Sequence, residues 1–497
     1  MKKQLITLLM LGGAMVGNAQ TFTHYVTTQQ QTFKKVKNVS ATRNGATSYQ
    51  VTTNASQPIV TFNNWGTTFN ELDWLALSRL KPEEREEIMQ RAFDPNGELR
   101  FTMGRISMNA NDYSDGWYQC DSVPGDFKLK YFNIERDKKN IIPYTKMAQK
   151  YQPNMVFWMS PWSPPAWMKI NHDYPVQSNK WNKMDPRQDY LLFGDGDRSD
   201  NEQMKPDKRR FPRRLAVQDY FIQDPRYLQA YADMFCRFID LYHEQGIDFK
   251  MVMYQNEAYS YTPYPGCPWT PEGIIRFNAD YLAPTLKKNH PEVKLYLGTF
   301  NTNRYDHVNG LLSNEKLANC IEGLAFQWEG GQILPRIHKE RPQYALIASE
   351  SECGNGSMDW RAAVHTFNLI NHYVANGCAN YTNWNLVLCD RGQSPWGWRQ
   401  NALVRVNSKD NSFEYRPEWF TYRHYSQFIR PGSKIIGAKE AGKEGVPVLV
   451  AVNPQGKYVV VAGNWSQEQQ TVSVELRKGK HLTITLQPQS MNSFIEK

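Results

Sequence analysis

The sequence predicts an α/β fold: a closed (β/α)8 TIM barrel with a side β-sandwich built from N- and C-terminal strands. Three observations carry that reading. Apolar runs that end abruptly in polar residues recur through the middle of the chain, with helical periodicity between them. Buried parallel strands read in this way, and eight such runs can be counted, the number a closed barrel requires. Alternating Thr-, Val- and Gln-rich segments flank this centre on both sides. A length of 497 residues suits a large barrel plus a smaller module.

Taken in order, residues 1–19 (MKKQLITLLMLGGAMVGNA) combine Lys2 and Lys3, an apolar stretch over 5–16 and a small-residue site at Ala19. This predicts a secretory signal peptide, and a secreted or periplasmic address. No cysteine follows the apolar stretch, so no lipid anchor is expected, and no later run is long enough for a membrane span. Residues 20–62 predict strands at 48–53 and 59–62 belonging to the sandwich. The barrel is expected over 63–415, with strands at 65–69, 101–106, 154–160, 249–257, 294–299, 323–328, 344–350 and 380–386. Helices are expected near 136–150, 225–246, 271–288 and 358–376. The second of these carries Leu228, Tyr231, Phe235, Phe238, Ile239 and Tyr242 on one stripe. Residues 416–497 predict the C-terminal sandwich, a meander of antiparallel strands at 448–453, 457–463, 471–476 and 481–486. Chain ends usually lie close together, so both ends can share one module.

Composition narrows the function classes. The chain has 15 Trp and 27 Tyr, which fits either a large aromatic core or a surface that stacks sugars. The net charge of +9 owes much to residues 205–214, KPDKRRFPRR. In an exported protein this reads as a solvated loop or an anionic-glycan contact, and no nucleic-acid partner is expected. Seven widely spaced cysteines, an odd number, are expected to be mostly free and buried. There is no HExxH, GxSxG or P-loop, and no GxGxxG between a strand and a helix. The expected partner is a carbohydrate, with no cofactor, no metal and a monomeric chain.

Two strands deliver a carboxylate at their exits: FKMVMYQNE ends in Glu257 and YALIASE ends in Glu350. They are the fourth and seventh of the eight, and face each other across a barrel whose chemistry sits at the carboxyl ends of its strands. Hydrolysis of a glycosidic bond needs such a pair, one to protonate the leaving oxygen and one to attack or stabilise the sugar centre. Glu352 competes locally, because it shares a face with Glu350 if the strand continues; Glu350 is preferred. Asn256 fits a side chain that hydrogen-bonds a sugar hydroxyl. In SPWSPPAW (160–167), three prolines stiffen a loop carrying Trp162 and Trp167; Trp167 is favoured as the sugar platform and Trp162 is balanced between platform and core. Arg105, at a strand exit, suits steadying a carboxylate, and Trp384-Asn385 closes the last strand similarly.

Six ordered motifs resemble glycoside hydrolase family 30, the glucosylceramidases, endo-β-1,6-glucanases and related β-glycosidases. They are RISMNANDYS (105–114), SPWSPPAWMK (160–169), MYQNEAYS (253–260), LIASESECG (346–354), NWNLVL (383–388) and YRHYSQFIRPGSKIIG (422–437). The resemblance implies a barrel with a sandwich from both ends, and retaining hydrolysis with Glu257 as acid/base and Glu350 as nucleophile. It implies substrate contacts for Asn256, Trp167 and Trp384, and Arg105 below them. Asn70 or Glu71 stands where family members carry a first-strand Asp, and Gln327-Trp328 where they carry His-Trp. Asn70, Gln327, Trp328 and Tyr264 join the expected substrate-binding set. These departures leave open another sugar (β-1,6-galactan, β-xyloside or β-fucoside), or a protein that binds carbohydrate without turnover.

Overall fold

A computed structural model describes residues 20–42, 49–190, 218–477 and 479–497. The expected signal peptide and the basic run at 205–214 lie outside the described residues, as does the first residue of the strand expected at 48–53. Four strands come first: β1 (Thr21–Thr27), β2 (Lys34–Ser40), β3 (Tyr49–Val51) and β4 (Val60–Phe62). The barrel follows with β5 (Asn64–Thr68), β6 (Met103–Met108), β7 (Val156–Pro161), β8 (Phe249–Met253), β9 (Lys294–Phe300), β10 (Gly323–Gln327), β11 (Ala345–Glu350) and β12 (Cys378–Asn383). These eight close in sequence order, every neighbouring pair parallel.

All eight apolar runs therefore form the strands expected of them, though not always to the expected length. The run at 249–257 leaves regular pairing after Met253. Pleating explains the composition of each strand. Met103, Trp158, Met251, Met253, Tyr296, Ala325 and Ile347 fill the barrel interior. Alternate residues such as Ile106, Met159 and Val252 face the helices outside. Helix Pro225–His243 begins on the Asp224 side chain, which accepts from the Arg226 amide, and buries the stripe read from sequence. Each large apolar side chain buried there contributes roughly 1.5–3 kcal/mol.

Beyond β12, a small sheet of β13 (Val387–Cys389), β14 (Val404–Val406) and β15 (Phe413–Tyr415) decorates the barrel. Its three-residue strands are too short to have shown a periodicity. The sandwich uses β16 (Ser433–Lys439), β17 (Val448–Val452), β18 (Tyr458–Asn464), β19 (Gln470–Arg477), β20 (Lys480–Leu486) and β21 (Ser490–Glu496). These do not make the single meander expected. A seven-stranded sheet runs β2-β1-β21-β18-β17-β16-β4, and a three-stranded sheet runs β20-β19-β3. Val448 and Val450 face the second sheet, against Val472, Val474, Leu482 and Ile484. Leu449 and Ala451 face the other way and join the barrel core. Both faces of β17 are apolar, so the sheet needs cover on two sides; a flat meander would leave one exposed.

All seven cysteines are free, four of them buried. No helix among the described residues is long and apolar enough to cross a membrane.

Candidate active site

The site is built on Arg105, the third residue of β6, which points into the barrel and has no exposed surface. Its Nη1 donates to Glu350 Oε2 at 2.5 Å, and its Nη2 donates to Asn256 Oδ1 at 2.7 Å and Ser160 Oγ at 3.0 Å. One guanidinium thus ties together the exits of the second, third, fourth and seventh barrel strands. Three indoles surround it: its central carbon lies 4.2 Å from the Trp162 ring centre, 4.7 Å from Trp158 and 5.4 Å from Trp384. Aromatic faces favour a cation held in this way.

Glu350 reaches Arg105 because β11 breaks register. Ile347 faces the barrel interior, so strict alternation would turn Ser349 inward and Glu350 outward. Phe326 of β10 pairs with Ala348, and the next residue, Gln327, pairs with Glu350. The extra residue is Ser349, and this bulge re-aims the carboxylate into the barrel. The strand ends there, so Glu352 does not share the face. It pairs instead with His365 at 2.5 Å, on the outside.

The fourth-strand exit is held by its neighbours. The Asn256 amide donates to Pro161 O, and the Glu257 amide donates to Thr299 O. Asn256 Oδ1 accepts from Arg105, from Thr299 Oγ1 at 3.1 Å and from Gln327 Nε2 at 2.7 Å. Three donors on one oxygen fix the amide with its nitrogen turned away from Arg105. Glu257 has φ +49, a left-handed conformation that costs a non-glycine residue about 1–3 kcal/mol. Its carboxylate is buried, and Oε2 has no partner among the described residues.

The two carboxylates differ electrostatically. Burial pushes Glu257 up to about 8, and the nearby Glu350 charge adds to that. Burial also raises Glu350, but the Arg105 guanidinium opposes the shift through charge and a direct hydrogen bond. A pair of carboxyls of which only Glu350 is ion-paired among the described residues is the arrangement that separates a proton donor from an anion.

Trp384 donates from Nε1 to Gln400 Oε1 at 2.6 Å, and its ring lies 5.2 Å from Trp162. Tyr264 belongs to the same buried aromatic cluster, with Tyr113 and Trp396. The phenol of Tyr264 is pushed well up by burial, with added repulsion from Glu257, Asp112 and Glu350. Asn70 is fully buried beside them: it accepts from Asn111 Nδ2 at 2.8 Å and donates to Asn385 Oδ1 at 3.0 Å. Glu71 turns away, bound to Arg136 at 2.7 Å and Asn140 at 2.8 Å. Gln327 joins Asn256 and Thr299, leaving its buried Oε1 without a partner among the described residues. Trp328 opens the 3₁₀ turn Trp328–Gln332 and is partly buried.

Trp167 stands apart from these residues. Its ring packs 5.7 Å from both Phe127 and Tyr227, and its Nε1 donates to Asp121 O at 3.2 Å. It fills the main core, while Trp162 takes the place beside Arg105 and Trp384. Trp162 lies only one residue past β7 and is aimed by that strand. Trp167 comes after the prolines, in the 3₁₀ turn Ala166–Met168.

Sequence reasoning missed Asp112. Its buried carboxyl is pushed up to about 8 by desolvation and by Glu350, and it accepts from Gln400 Nε2 at 3.4 Å. The available signal was its position in the largely polar stretch Asn109–Asp112 straight after β6. Among the described residues, no three His, Cys, Asp or Glu side chains converge in a way that would hold a metal ion.

Two family profiles match the chain. The Glycosyl hydrolase family 30 TIM-barrel domain matches residues 62–182 and 221–429, and the Glycosyl hydrolase family 30 beta sandwich domain matches residues 432–494. The chain is 24% identical to the lysosomal acid glucosylceramidase of Mus musculus over 475 residues, covering 90% of this chain and 84% of the mouse protein. Among solved structures, SrfJ from Salmonella typhimurium superposes with TM-score 0.79 at 19% identity, covering 96% of this chain and 99% of that one. The endo-β1,6-glucanase BT3312 superposes with TM-score 0.76 at 19% identity, with the same coverage.

Proposed function

The chain belongs to glycosyl hydrolase family 30, and from that membership we propose an exported β-glycosidase that cleaves β-linked glucan or a related glycoside with retention of configuration. It is a glycosidase; linkage, stereochemistry and address are the proposed part. The observation that carries the reading is the asymmetry of two buried carboxylates, Glu350 in contact with Arg105 and Glu257 without an ion pair among the described residues.

In this reading Glu257 enters the cycle protonated. It gives its proton to the glycosidic oxygen as Glu350, ionised against Arg105, attacks the anomeric carbon and the leaving group departs. Formation of the glycosyl ester removes the Glu350 charge, so the Glu257 carboxyl falls in pKa. It then takes a proton from a water molecule as that water attacks the anomeric carbon; the bond to Glu350 breaks, the carboxylate is released, and the sugar leaves with its original configuration. Asn256, its amide oriented by three donors, and Asn70, Gln327, Trp162, Trp384 and Tyr264 contact the sugar. Asp112 joins them. Glucose is the favoured unit because the relatives include a glucosylceramidase and an endo-β1,6-glucanase. Export rests on the signal-like residues 1–19.

The test is hydrolysis of β-1,6-glucan and of an aryl β-glucoside followed by NMR from the first turnover. The β-anomer should appear first and mutarotate afterwards. Initial release of the α-anomer would sink the retaining assignment.

A further inference from the structure

We infer that Trp181 is the platform for the sugar on the leaving-group side of the cleaved bond. This rests on the proposed hydrolysis, and adds a residue outside the carboxylate pair that sets how well longer substrates are used.

Trp181 is one of three large hydrophobic residues exposed among those described, at 44% of its surface. A half-exposed indole adds little to a core, yet this one is held in place. Its amide donates to Asn179 Oδ1 at 2.7 Å, and the next residue, Asn182, donates from Nδ2 to Pro263 O at 2.8 Å and Gln177 O at 2.8 Å. On its other side the edge of the indole lies against Gly397: a Cβ there would sit 2.2 Å from Nε1. Gly397 has φ +88, so a side chain is barred by backbone as well as by space. An exposed ring packed against an obligate glycine is a fixed surface, not a loose side chain.

Its location is the rim of the site. Three loops meet at Trp181, and each leaves the carboxyl end of a barrel strand: the segment after β7 that carries Trp181 itself, the segment after β8 that includes Pro263, and the segment after β12 that includes Gly397. The neighbours of Gly397 lead inward. Trp396 donates from Nε1 to Tyr174 Oη at 3.2 Å, Trp398 lies 5.8 Å from the Tyr264 ring, and Gln400 accepts from Trp384. Tyr174 stacks on Trp117 at 4.8 Å and 19°. The stretch around Gly397 thus connects Trp181 to the residues that hold Trp384 and Tyr264.

The direction follows from the chemistry. The acid must reach the glycosidic oxygen, so the departing sugar lies over the loop that carries Glu257. That loop runs on through Pro263 to the Asn182 contact beside Trp181. The flat C–H face of a departing hexose packs on an indole held there.

The experiment compares two substrates of the same enzyme. A β-1,6-linked gluco-oligosaccharide fills both sides of the bond, whereas β-glucosyl fluoride has a single-atom leaving group and fills one. Trp181→Ala should lower kcat/KM on the oligosaccharide about tenfold, mainly through KM. It should leave kcat/KM on the fluoride within about twofold. Trp181→Phe should restore most of the oligosaccharide activity, because a flat ring remains. Equal losses on both substrates, or no loss on the oligosaccharide, would overturn the platform while leaving hydrolysis established. If the unmodified enzyme cleaves neither substrate, the proposed glucan hydrolysis fails and the platform falls with it.

Discussion

Arg105 Nη1 lies 2.5 Å from Glu350 Oε2 with both side chains buried. A buried carboxylate without its cation is costly, and removing one partner of such a pair typically costs about 3–5 kcal/mol. Arg105→Met should therefore lower stability by about that amount, read by chemical denaturation. Its pH–rate profile should also move. Burial raises the Glu350 carboxyl and Arg105 opposes that rise. Without the guanidinium, the acidic limb of activity should shift to higher pH. An unchanged acidic limb would separate Arg105 from the charge of Glu350.

The two carboxylates should fail differently. Glu350→Gln should abolish turnover of every substrate. Glu257→Ala should slow substrates with poor leaving groups by about 10²–10⁴-fold. It should cleave activated aryl glycosides far better, and release a glycosyl azide when azide is supplied. A Glu257→Ala enzyme equally impaired on good and poor leaving groups would contradict proton donation by Glu257.

Glu257 also sets a pH dependence of stability. Its folded pKa is raised to about 8, above the roughly 4.3 of an unfolded glutamate. The folded chain keeps this proton where the unfolded chain has lost it. Any stability linked to the group is complete below about pH 4 and declines as pH rises toward 8. Glu257→Gln, which cannot ionise, should be more stable than the parent at pH 7 by about 1–4 kcal/mol. That gain should shrink to nothing near pH 4, as followed by thermal unfolding across pH. A constant difference at all pH values would refute the linkage.

The Trp162 and Trp167 contrast is open to test with two single substitutions. Trp167→Ala removes a core side chain and should cost about 3–5 kcal/mol, with little change in kcat/KM of the folded enzyme. Trp162→Ala should instead lower kcat/KM on an aryl β-glucoside at least tenfold, through loss of its ring beside Arg105 and Trp384. The reverse pattern would restore the platform to Trp167.

Where sequence and structure agree, a strong local signal lies behind it. The eight barrel strands are buried on both faces and end at a polar mouth, so their runs show plainly in the chain. The Glu257 and Glu350 positions were visible for the same reason. The side-chain direction of Glu350 was not, because it depends on an extra residue at Ser349 relative to β10. No pattern within β11 can announce a register shift against its neighbour. Trp162 and Trp167 share one proline-rich loop and similar composition. Only the point where the chain turns away from β7 separates site from core. Asp112 gave a weak signal, since a lone Asp after a strand usually caps or turns. The two-sheet split of the C-terminal strands was hidden because β17 is apolar on both faces, so alternation could not assign it a single side.

Strand β21 lies between β1 and β18, paired with both over six residues each. Within this sheet the first described strand is paired only with β2 and the final strand. During synthesis, β1 emerges at the start and must wait unpaired on this edge until nearly the whole chain has been made. Throughout that interval it presents an open edge, available to any other strand. Deleting residues 490–497 would leave a gap in the middle of the seven-stranded sheet, separating β1 and β2 from the rest. The completed molecule would then carry two unpaired edges facing each other across that gap.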